Sequence, residues 1–262
     1  MTAPRPVPAP RCHALIPCAG SGSRAGAARP KQYQTLHGRP LALHTLAAFA
    51  RVPHLAQVLI VTAPGDHTLA AHLPALAAAG GPALPDLHLQ DCGGPSRAHS
   101  VLAGLRHLRA SGAGEEDWVL VHDAARCLIT PDLIERLIAA CLPDATGGLL
   151  ALPLPDTLKT AAPGGASDGN SDNAPRACAT VPREGKWLAQ TPQMFRLGAL
   201  IAALAAHEAD GFAGITDEAS AIEAAGQRPL LVRGSARNFK VTWPEDFALA
   251  AALLAAPPDS PR

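Results

Sequence analysis

A glycine-rich stretch near the amino terminus, residues 17–33, constrains the fold of this chain more than any other feature. It directly follows residues 13–17, a short apolar run that is typical of a buried strand in a parallel sheet. Its glycines, Gly22 among them, let backbone N–H groups approach an anion closely, and Arg24 and Lys31 add fixed positive charge. The stretch therefore predicts a phosphate-binding loop at the carboxyl end of the first strand.

The spacing of these glycines fits two common nucleotide-binding loops poorly. A Walker A loop ends in Gly-Lys-Ser/Thr, whereas Gly26 is followed by two alanines. The dinucleotide fingerprint G-x-G-x-x-G has a last gap one residue shorter than the gap between Gly22 and Gly26, and no acidic residue ends a second strand about 20 residues further on. An NAD-binding oxidoreductase is therefore disfavoured.

The composition predicts a globular protein that binds a small molecule. Of the 262 residues, 48% are hydrophobic, which is enough for a sizeable core, and Lys+Arg and Asp+Glu both number 22. This balance offers no global field that would attract nucleic acid or an acidic membrane surface. The six cysteines form no C-x-x-C pair and follow no signal peptide or long apolar span, so we expect a cytoplasmic protein.

Strand and helix patterns alternate along the chain. Apolar or β-branched runs predict strands, and Ala-rich or amphipathic segments between them predict helices. The predicted strands are residues 13–17, 57–62, 86–90, 118–121, 147–153 and 229–232, and the predicted helices are residues 40–52, 66–79, 96–110 (with Ser96 as N-cap) and 131–141. This alternation indicates an α/β fold with a doubly wound, mostly parallel sheet, in which ligands bind at the carboxyl ends of the strands.

A single domain over residues 12–256 accommodates these elements. The Pro-rich residues 1–11 predict a disordered leader, and we expect residues 257–262 to be a disordered tail.

From residue 155 onward the alternation stops. Residues 155–159 and 179–183 flank a stretch, 161–176, that is rich in Gly, Ser, Asp, Asn and Pro. We expect the flanks to pair as an antiparallel β-arm of about residues 154–190 that protrudes from the domain, with residues 161–176 as its mobile tip.

Polar side chains follow two of the predicted strands at their carboxyl ends. Residues 92–100 lead into a helix and place Gly94 and Ser100 beside the expected crevice, and residues 121–126 place Asp123 there. Taken alone, the first would be a capped helix start and the second a turn residue. Both segments lie at the edge where the phosphate loop is predicted, so a structural and a ligand-binding role stay open for each at this point.

The chain resembles a known enzyme family over residues 13–254. Six motifs occur in the family's order, namely P-x-A-G-x-G-x-R with P-K-Q-Y, G-G-x-x-R-x-x-S, V-H-D-A-A-R, T-P-Q-x-F, I-T-D-E-A-S and N-x-K-V-T-x-P-E-D. They are similar to motifs of the sugar-phosphate cytidylyltransferases, and in particular of the 2-C-methyl-D-erythritol 4-phosphate cytidylyltransferases of the non-mevalonate isoprenoid pathway. The resemblance implies a Rossmann-like nucleotidyltransferase fold.

The resemblance also implies roles for the residues at matching positions. Catalytic roles fall to the basic residues Arg24, Lys31, Arg183 and Lys240, and nucleotide binding falls to Cys18, Ala19, Gly20, Gly22, Gly94, Ser100 and Asp123. Acceptor contacts fall to Arg126, Thr157, Thr191 and Thr216. Thr216 is also expected to cap the helix that follows it, and Arg97 to support the loop that binds the base.

The implied reaction transfers CMP from CTP to the acceptor's phosphate and releases pyrophosphate. Since a phosphate nucleophile is already ionised near neutral pH, the reaction needs no protein base. Mg²⁺ is the implied cofactor, with Asp123 as the one possible protein ligand, and no zinc site is expected because the eleven histidines form no metal-binding motif. The implied assembly is a homodimer in which each β-arm reaches the other subunit.

Two other functions stay open at this point. A cytidylyltransferase for a related polyol phosphate, such as ribitol 5-phosphate, would share nearly the same nucleotide half. A non-catalytic nucleotide-sensing module would bind CTP without releasing pyrophosphate, although the basic residues Arg24, Lys31, Arg183 and Lys240 speak against it.

Overall fold

The computed structural model describes residues 9–20, 30–78, 86–162 and 175–256 of the chain. Its strands are β1 (Cys12–Pro17), β2 (Thr35–Leu36), β3 (Arg39–Pro40), β4 (Leu55–Val61), β5 (Asp86–Gln90), β6 (Trp118–Val121), β7 (Gly147–Pro153), β8 (Leu158–Ala161), β9 (Ala177–Val181), β10 (Trp187–Arg196) and β11 (Leu230–Arg233). Its helices are α1 (Leu41–Phe49), α2 (Leu73–Ala78), α3 (Arg97–Ala110), α4 (Pro131–Cys141), α5 (Leu197–Ala205), α6 (Glu218–Ala224) and α7 (Pro244–Ala255). Within the described ranges, no helix has the length and apolar character needed to cross a membrane.

Seven strands form one sheet in the order β11-β7-β10-β6-β1-β4-β5. β1 pairs in parallel with β4 and β6, β4 with β5, and β7 with β11, whereas β10 runs antiparallel between β6 and β7. The predicted mostly parallel sheet is confirmed. The chain winds outward from β1 to β5 and then returns to β6 on the other side of β1, so a ligand crevice is expected at the carboxyl ends of β1 and β6.

Helices cover both faces of the sheet, as expected for a doubly wound fold. Because side chains alternate along a strand, one strand contributes to two cores. In β1, Ile16 belongs to the core with Phe49 of α1 and Ile134 of α4, whereas Leu15 belongs to the core with Leu105 of α3 on the other face. All five side chains are fully buried.

The helix predicted over residues 66–79 is much shorter in the structure. The segment contains a 3-10 turn, Ala70–His72, and the short helix α2 directly after it. Pro74 has no N–H to donate to the carbonyl of Ala70, so a regular α-helical ladder cannot run through this segment. Asp66 at the start of the predicted helix instead accepts a hydrogen bond from the Tyr33 hydroxyl.

β8 and β9 form the predicted arm as an antiparallel pair outside the main sheet. Every residue of β8 is exposed, and so are the first four residues of β9. Most of the tip predicted over residues 161–176 falls in residues 163–174, which lie outside the described residues.

The predicted termini also lie largely outside the described residues. This applies to residues 1–8 and to the tail over residues 257–262. The guanidinium of Arg11, the last residue of the predicted leader, is bonded to the buried carboxylate of Asp117, with Nη2 2.9 Å from Oδ2.

Asp117 fixes the chain where it enters the sheet. Its carboxylate accepts hydrogen bonds from the backbone N–H groups of Arg11 and Gly114, both at 2.9 Å, and lies 3.1 Å from His13 Nε2. Burial alone would raise the pKa of Asp117, but these donors outweigh it and lower the pKa to about 2.

We expect Asp117→Asn to lower the free energy of unfolding by about 2 kcal/mol at pH 7. The asparagine amide lacks the negative charge of the carboxylate, to which Arg11 and His13 are hydrogen-bonded. A carboxylate with a depressed folded-state pKa stabilises fully above its unfolded pKa of about 3.9, and this contribution is lost as the pH falls toward about 2. The difference from wild type in urea unfolding should therefore shrink below about pH 4. Glu116→Gln is the matched control, since that neighbouring side chain is 82% exposed; a loss equal to that of Asp117→Asn would contradict the prediction.

Candidate active site

A cavity of about 550 Å³ opens at the carboxyl edge of the sheet. The loop after β1, the segment from β5 into α3, the loop after β6 and the segment before α7 surround it. The predicted site residues that line it are Cys18, Ala19, Gly20, Lys31, Gly94, Ser100, Asp123 and Lys240. The convergence expected from the sheet topology is therefore observed.

The other predicted site residues have different locations. Gly22 and Arg24 fall in residues 21–29, which lie outside the described residues. The predicted acceptor and arm residues that do not line the cavity are Arg126, Thr157, Arg183, Thr191 and Thr216.

Two glycines allow close packing at this wall of the cavity. A Cβ at Gly93 would lie 2.3 Å from the Ala19 Cβ, and a Cβ at Gly94 would lie 2.5 Å from the His99 Cβ. The Gly94 N–H donates to the Ser100 hydroxyl at 3.1 Å. Any larger side chain at either glycine would force the surrounding segments apart.

The start of α3 is capped as predicted. The Ser96 side chain accepts a hydrogen bond from the His99 N–H, and the Ser100 hydroxyl donates to the Ser96 carbonyl at 3.0 Å. Ser100 therefore links the cap to Gly94 as well as lining the cavity.

A continuous network of ion pairs runs along the cavity wall. Glu218 accepts two hydrogen bonds from the Arg97 guanidinium, at 2.6 and 3.0 Å, and Arg97 Nε donates to Asp123 Oδ1 at 2.8 Å. Asp123 Oδ2 lies 2.8 Å from Lys240 Nζ. Glu218 is only 1% exposed, and its pair with Arg97 compensates for the solvent that its carboxylate loses on burial. The network connects the start of α3 and the start of α6 to Lys240.

Asp123 is held ionised by its basic neighbours. Burial alone would raise the pKa of its carboxyl, but Arg97 and Lys240 outweigh burial and hold that pKa far below its ordinary value. Both carboxylate oxygens are thus occupied by basic donors.

Asp123 is also the predicted protein ligand of Mg²⁺. Each of its carboxylate oxygens accepts one basic donor and keeps a further lone pair. The described parts of the chain contain no group of three or more His, Cys, Asp or Glu residues that could hold a metal ion. The contact of Asp123 with Mg²⁺ stays a prediction.

Two lysines from opposite ends of the sequence line the same cavity. Lys31 Nζ donates to the Val241 carbonyl at 3.1 Å, and the Val241 N–H donates to the Ala125 carbonyl at 2.9 Å. Lys240 precedes Val241, and its side chain is 38% exposed. The segment before α7 thus places both ammonium groups beside the loop after β6 and makes this wall of the cavity positive.

His122 and Thr191 support Asp123 from behind. Burial lowers the pKa of His122 to about 3, so the ring is neutral near pH 7. Its Nε2 faces the Arg126 carbonyl at 3.3 Å and must donate, so Nδ1 accepts from the Thr191 hydroxyl at 3.0 Å. The Thr191 hydroxyl in turn accepts from the Asp123 N–H at 3.0 Å.

These bonds give Thr191 a structural role. It is 4% exposed, and its hydroxyl already has one donor and one acceptor. Its predicted acceptor contact stays a prediction. His122 was not singled out in the sequence, although it precedes Asp123 directly.

Arg126 also lies behind the cavity wall. Its guanidinium donates to the carbonyls of Asn238, at 2.9 Å, and Ala189, at 3.3 Å. Its side chain is 12% exposed and lies 3.8 Å from Asp123 Oδ2. It therefore joins the loop after β6 to β10 and to the segment before α7, and its predicted phosphate contact stays a prediction.

Thr157 and Arg183 lie on the arm. Both are exposed, and the Arg183 guanidinium donates to the Pro155 carbonyl. Neither side chain lines the cavity of its own chain.

The cap of α6 lies one residue later than predicted. Asp217, and not Thr216, is the N-cap: its carboxylate accepts the Ser220 N–H at 2.9 Å, and the Ser220 hydroxyl completes a capping box. Thr216 is exposed and lines a smaller neighbouring cavity of about 190 Å³. Glu218, the first residue of α6, was not predicted as part of the site, because an acid at a helix start already has a capping explanation.

The sheet order, the helices on both faces and the basic cavity at the carboxyl edge define an α/β nucleotidyltransferase, as solved structures of similar fold show. One is described as the crystal structure of 4-diphosphocytidyl-2C-methyl-D-erythritol synthase; it is 37% identical, with a TM-score of 0.77 over 95% of this chain and 100% of that one. Another is 2-C-methyl-D-erythritol 4-phosphate cytidylyltransferase from Thermus thermophilus, 32% identical, with a TM-score of 0.67 over 94% of this chain and 100% of that one.

The chain belongs to the family described as IspD: 2-C-methyl-D-erythritol 4-phosphate cytidylyltransferase, whose model matches residues 12–256. A 2-C-methyl-D-erythritol 4-phosphate cytidylyltransferase of Paraburkholderia phymatum is 52% identical over 93% of this chain and 96% of that relative. The bifunctional enzyme IspD/IspF of Albidiferax ferrireducens is 56% identical over 94% of this chain. The chain spans 53% of the length of that bifunctional relative.

Proposed function

We propose that this protein transfers CMP from CTP to 2-C-methyl-D-erythritol 4-phosphate, forming 4-diphosphocytidyl-2-C-methyl-D-erythritol and pyrophosphate. The observation that carries the proposal is the meeting of Lys31 and Lys240 in one cavity of a chain that matches this family over residues 12–256. The family and the Paraburkholderia phymatum relative bear the name of this acceptor, and neither is named for ribitol 5-phosphate.

A phosphate oxygen of the acceptor attacks the α-phosphorus of CTP and displaces pyrophosphate. That oxygen is ionised near neutral pH, so no general base is needed. The thiol of Cys18, which lines the cavity, is not a nucleophile, because burial raises its pKa to about 12. Catalysis therefore depends on positioning and on stabilisation of charge.

The two lysines divide this work. Negative charge grows on the α-phosphoryl oxygens in the transition state, and Lys31, with Arg24 of the same loop, stabilises it. Lys240 binds the acceptor phosphate and offsets the repulsion between the two anions. Its ion pair with Asp123 sets the place from which its ammonium reaches that phosphate.

Mg²⁺ is the proposed cofactor. When bound with CTP, it would neutralise charge on the departing pyrophosphate, with phosphate oxygens and water as its main ligands. Asp123, which lines the cavity, would be the protein oxygen ligand available to it.

The proposed assembly is a homodimer through the β-arm. Arg183 does not line the cavity of its own chain, and the arm carries the exposed apolar side chains of Leu158, Trp187 and Leu188. A second copy that covers these side chains would bring Arg183 to the partner's cavity. The proposed compartment is the cytoplasm, a reducing environment that suits six cysteines that are all free.

The reaction is tested by mixing the protein with CTP, Mg²⁺ and 2-C-methyl-D-erythritol 4-phosphate and following the phosphorus resonances. We expect equal amounts of pyrophosphate and a CDP-linked product, with UTP a much poorer donor. Binding of CTP without any pyrophosphate release would contradict the proposal and favour a nucleotide-sensing module.

A further inference from the structure

Gln32 makes two hydrogen bonds to the backbone of the phosphate loop. It lies in the 3-10 turn Lys31–Tyr33, and its Nε2 donates to the carbonyl oxygens of Cys18 and Gly20, both at 2.8 Å. A side-chain amide has two N–H donors, so both are used here. Since both partners are carbonyls, the orientation of the amide is unambiguous. Gln32 is 6% exposed and lines the cavity.

These bonds fix the direction of the peptide groups where the loop begins. In a planar trans peptide the C=O and the following N–H point in opposite directions, so the bond to Cys18 O also sets the direction of the Ala19 N–H. Among the residues that the structure describes, no backbone group accepts a hydrogen bond from the Ala19 N–H. Ala19 lines the cavity, so this donor is available to an anion there.

The carbonyls that Gln32 holds would otherwise oppose that binding. A carbonyl oxygen turned into the cavity would repel the phosphates and displace an N–H donor from them. The Cys18 N–H is held separately by the Val61 carbonyl at 2.6 Å, and Gly93 packs against the Ala19 Cβ. Substituting Gln32 therefore removes two side-chain hydrogen bonds and leaves these other contacts of Cys18 and Ala19 in place.

We propose that Gln32 is a positioning residue for the nucleotide: by holding the carbonyls of Cys18 and Gly20, it keeps the Ala19 N–H oriented toward the phosphates of CTP. The inference rests on the proposed function, since it takes CTP as the ligand of the cavity. It assigns to Gln32 an effect on nucleotide binding rather than on the acceptor.

Calorimetric titration with CTP and Mg²⁺ tests this role in two variants. Gln32→Met keeps the length of the side chain and removes both donors, and Gln32→Asn keeps an amide that is too short to reach both carbonyls. We expect the Kd for CTP to rise about tenfold in both, while the KM for the acceptor stays within about twofold of wild type. Gln34→Met is the matched control, because the Gln34 Nε2 is buried without a hydrogen-bond partner in the described ranges; it should bind CTP like wild type.

A purely structural role would lower the melting temperature of the folded variants and leave the Kd for CTP unchanged, and that result would overturn the inference. A second measurement does not depend on any variant. In ¹⁵N-labelled wild type the Ala19 amide resonance should shift when CTP is added, and the absence of a shift would also overturn the inference. Failure of wild type to bind CTP at all would contradict the proposed function itself.

Discussion

In Lys31→Ala the turnover number with CTP and acceptor should fall about hundredfold, while the Kd for CTP should rise far less. Lys31 lines the cavity, and its ammonium is held near the Val241 carbonyl. Because charge on the α-phosphoryl oxygens grows during the reaction, a fixed cation beside them binds the transition state more strongly than the bound substrate. Single-turnover kinetics and calorimetric titration of CTP measure the two quantities separately.

Arg51→Ala is a suitable control for the loss of one positive charge. Arg51 follows α1 and is exposed, away from the cavity. It should leave both quantities near their wild-type values. Equal losses of CTP affinity and turnover number in Lys31→Ala would show that Lys31 contributes only ground-state binding.

Mixed dimers should recover activity that neither parent shows, if the proposed shared site is right. We expect Arg183→Ala and Lys240→Ala homodimers to be nearly inactive, since each site lacks one phosphate-binding cation. In a mixed dimer, one site holds both wild-type residues and the other holds neither. With random pairing, half of the dimers are mixed and one of their two sites works, so co-refolding should restore about a quarter of wild-type activity.

Lys31→Ala mixed with Lys240→Ala is the matched control. Both residues line the cavity of the same chain, so every site in that mixture contains one substituted lysine, and activity should stay low. A tag on one variant verifies that subunits exchange. If the Arg183 and Lys240 variants exchange subunits and do not recover activity, then Arg183 does not complete the partner's site.

The bounds of three strands could be predicted because their patterns are local. β5, β6 and β7 begin and end where the apolar runs predict. β10 was recognised only as a motif, since its antiparallel position between β6 and β7 depends on partners distant in sequence. The helix predicted over residues 66–79 is too long. Its alanine-rich composition favours a helix, but Pro74 has no N–H with which to continue the helical hydrogen bonds.

The residues that meet in the cavity could be predicted in part. Loops after parallel strands share an edge, so Ala19, Ser100 and Asp123 were placed together from the sequence. The pair between Arg97 and Glu218 spans 121 residues, and no sequence pattern specifies such a contact. The hydrogen bond between His122 and Thr191 could not be predicted either, because it depends on the pairing of β6 with β10.

Pyrophosphate release with two acceptors offered side by side tests the proposed activity most directly. With CTP and Mg²⁺, we predict that kcat/KM for 2-C-methyl-D-erythritol 4-phosphate exceeds that for ribitol 5-phosphate by about a hundredfold or more. A preference for ribitol 5-phosphate, or equal values for the two, would contradict the proposed acceptor.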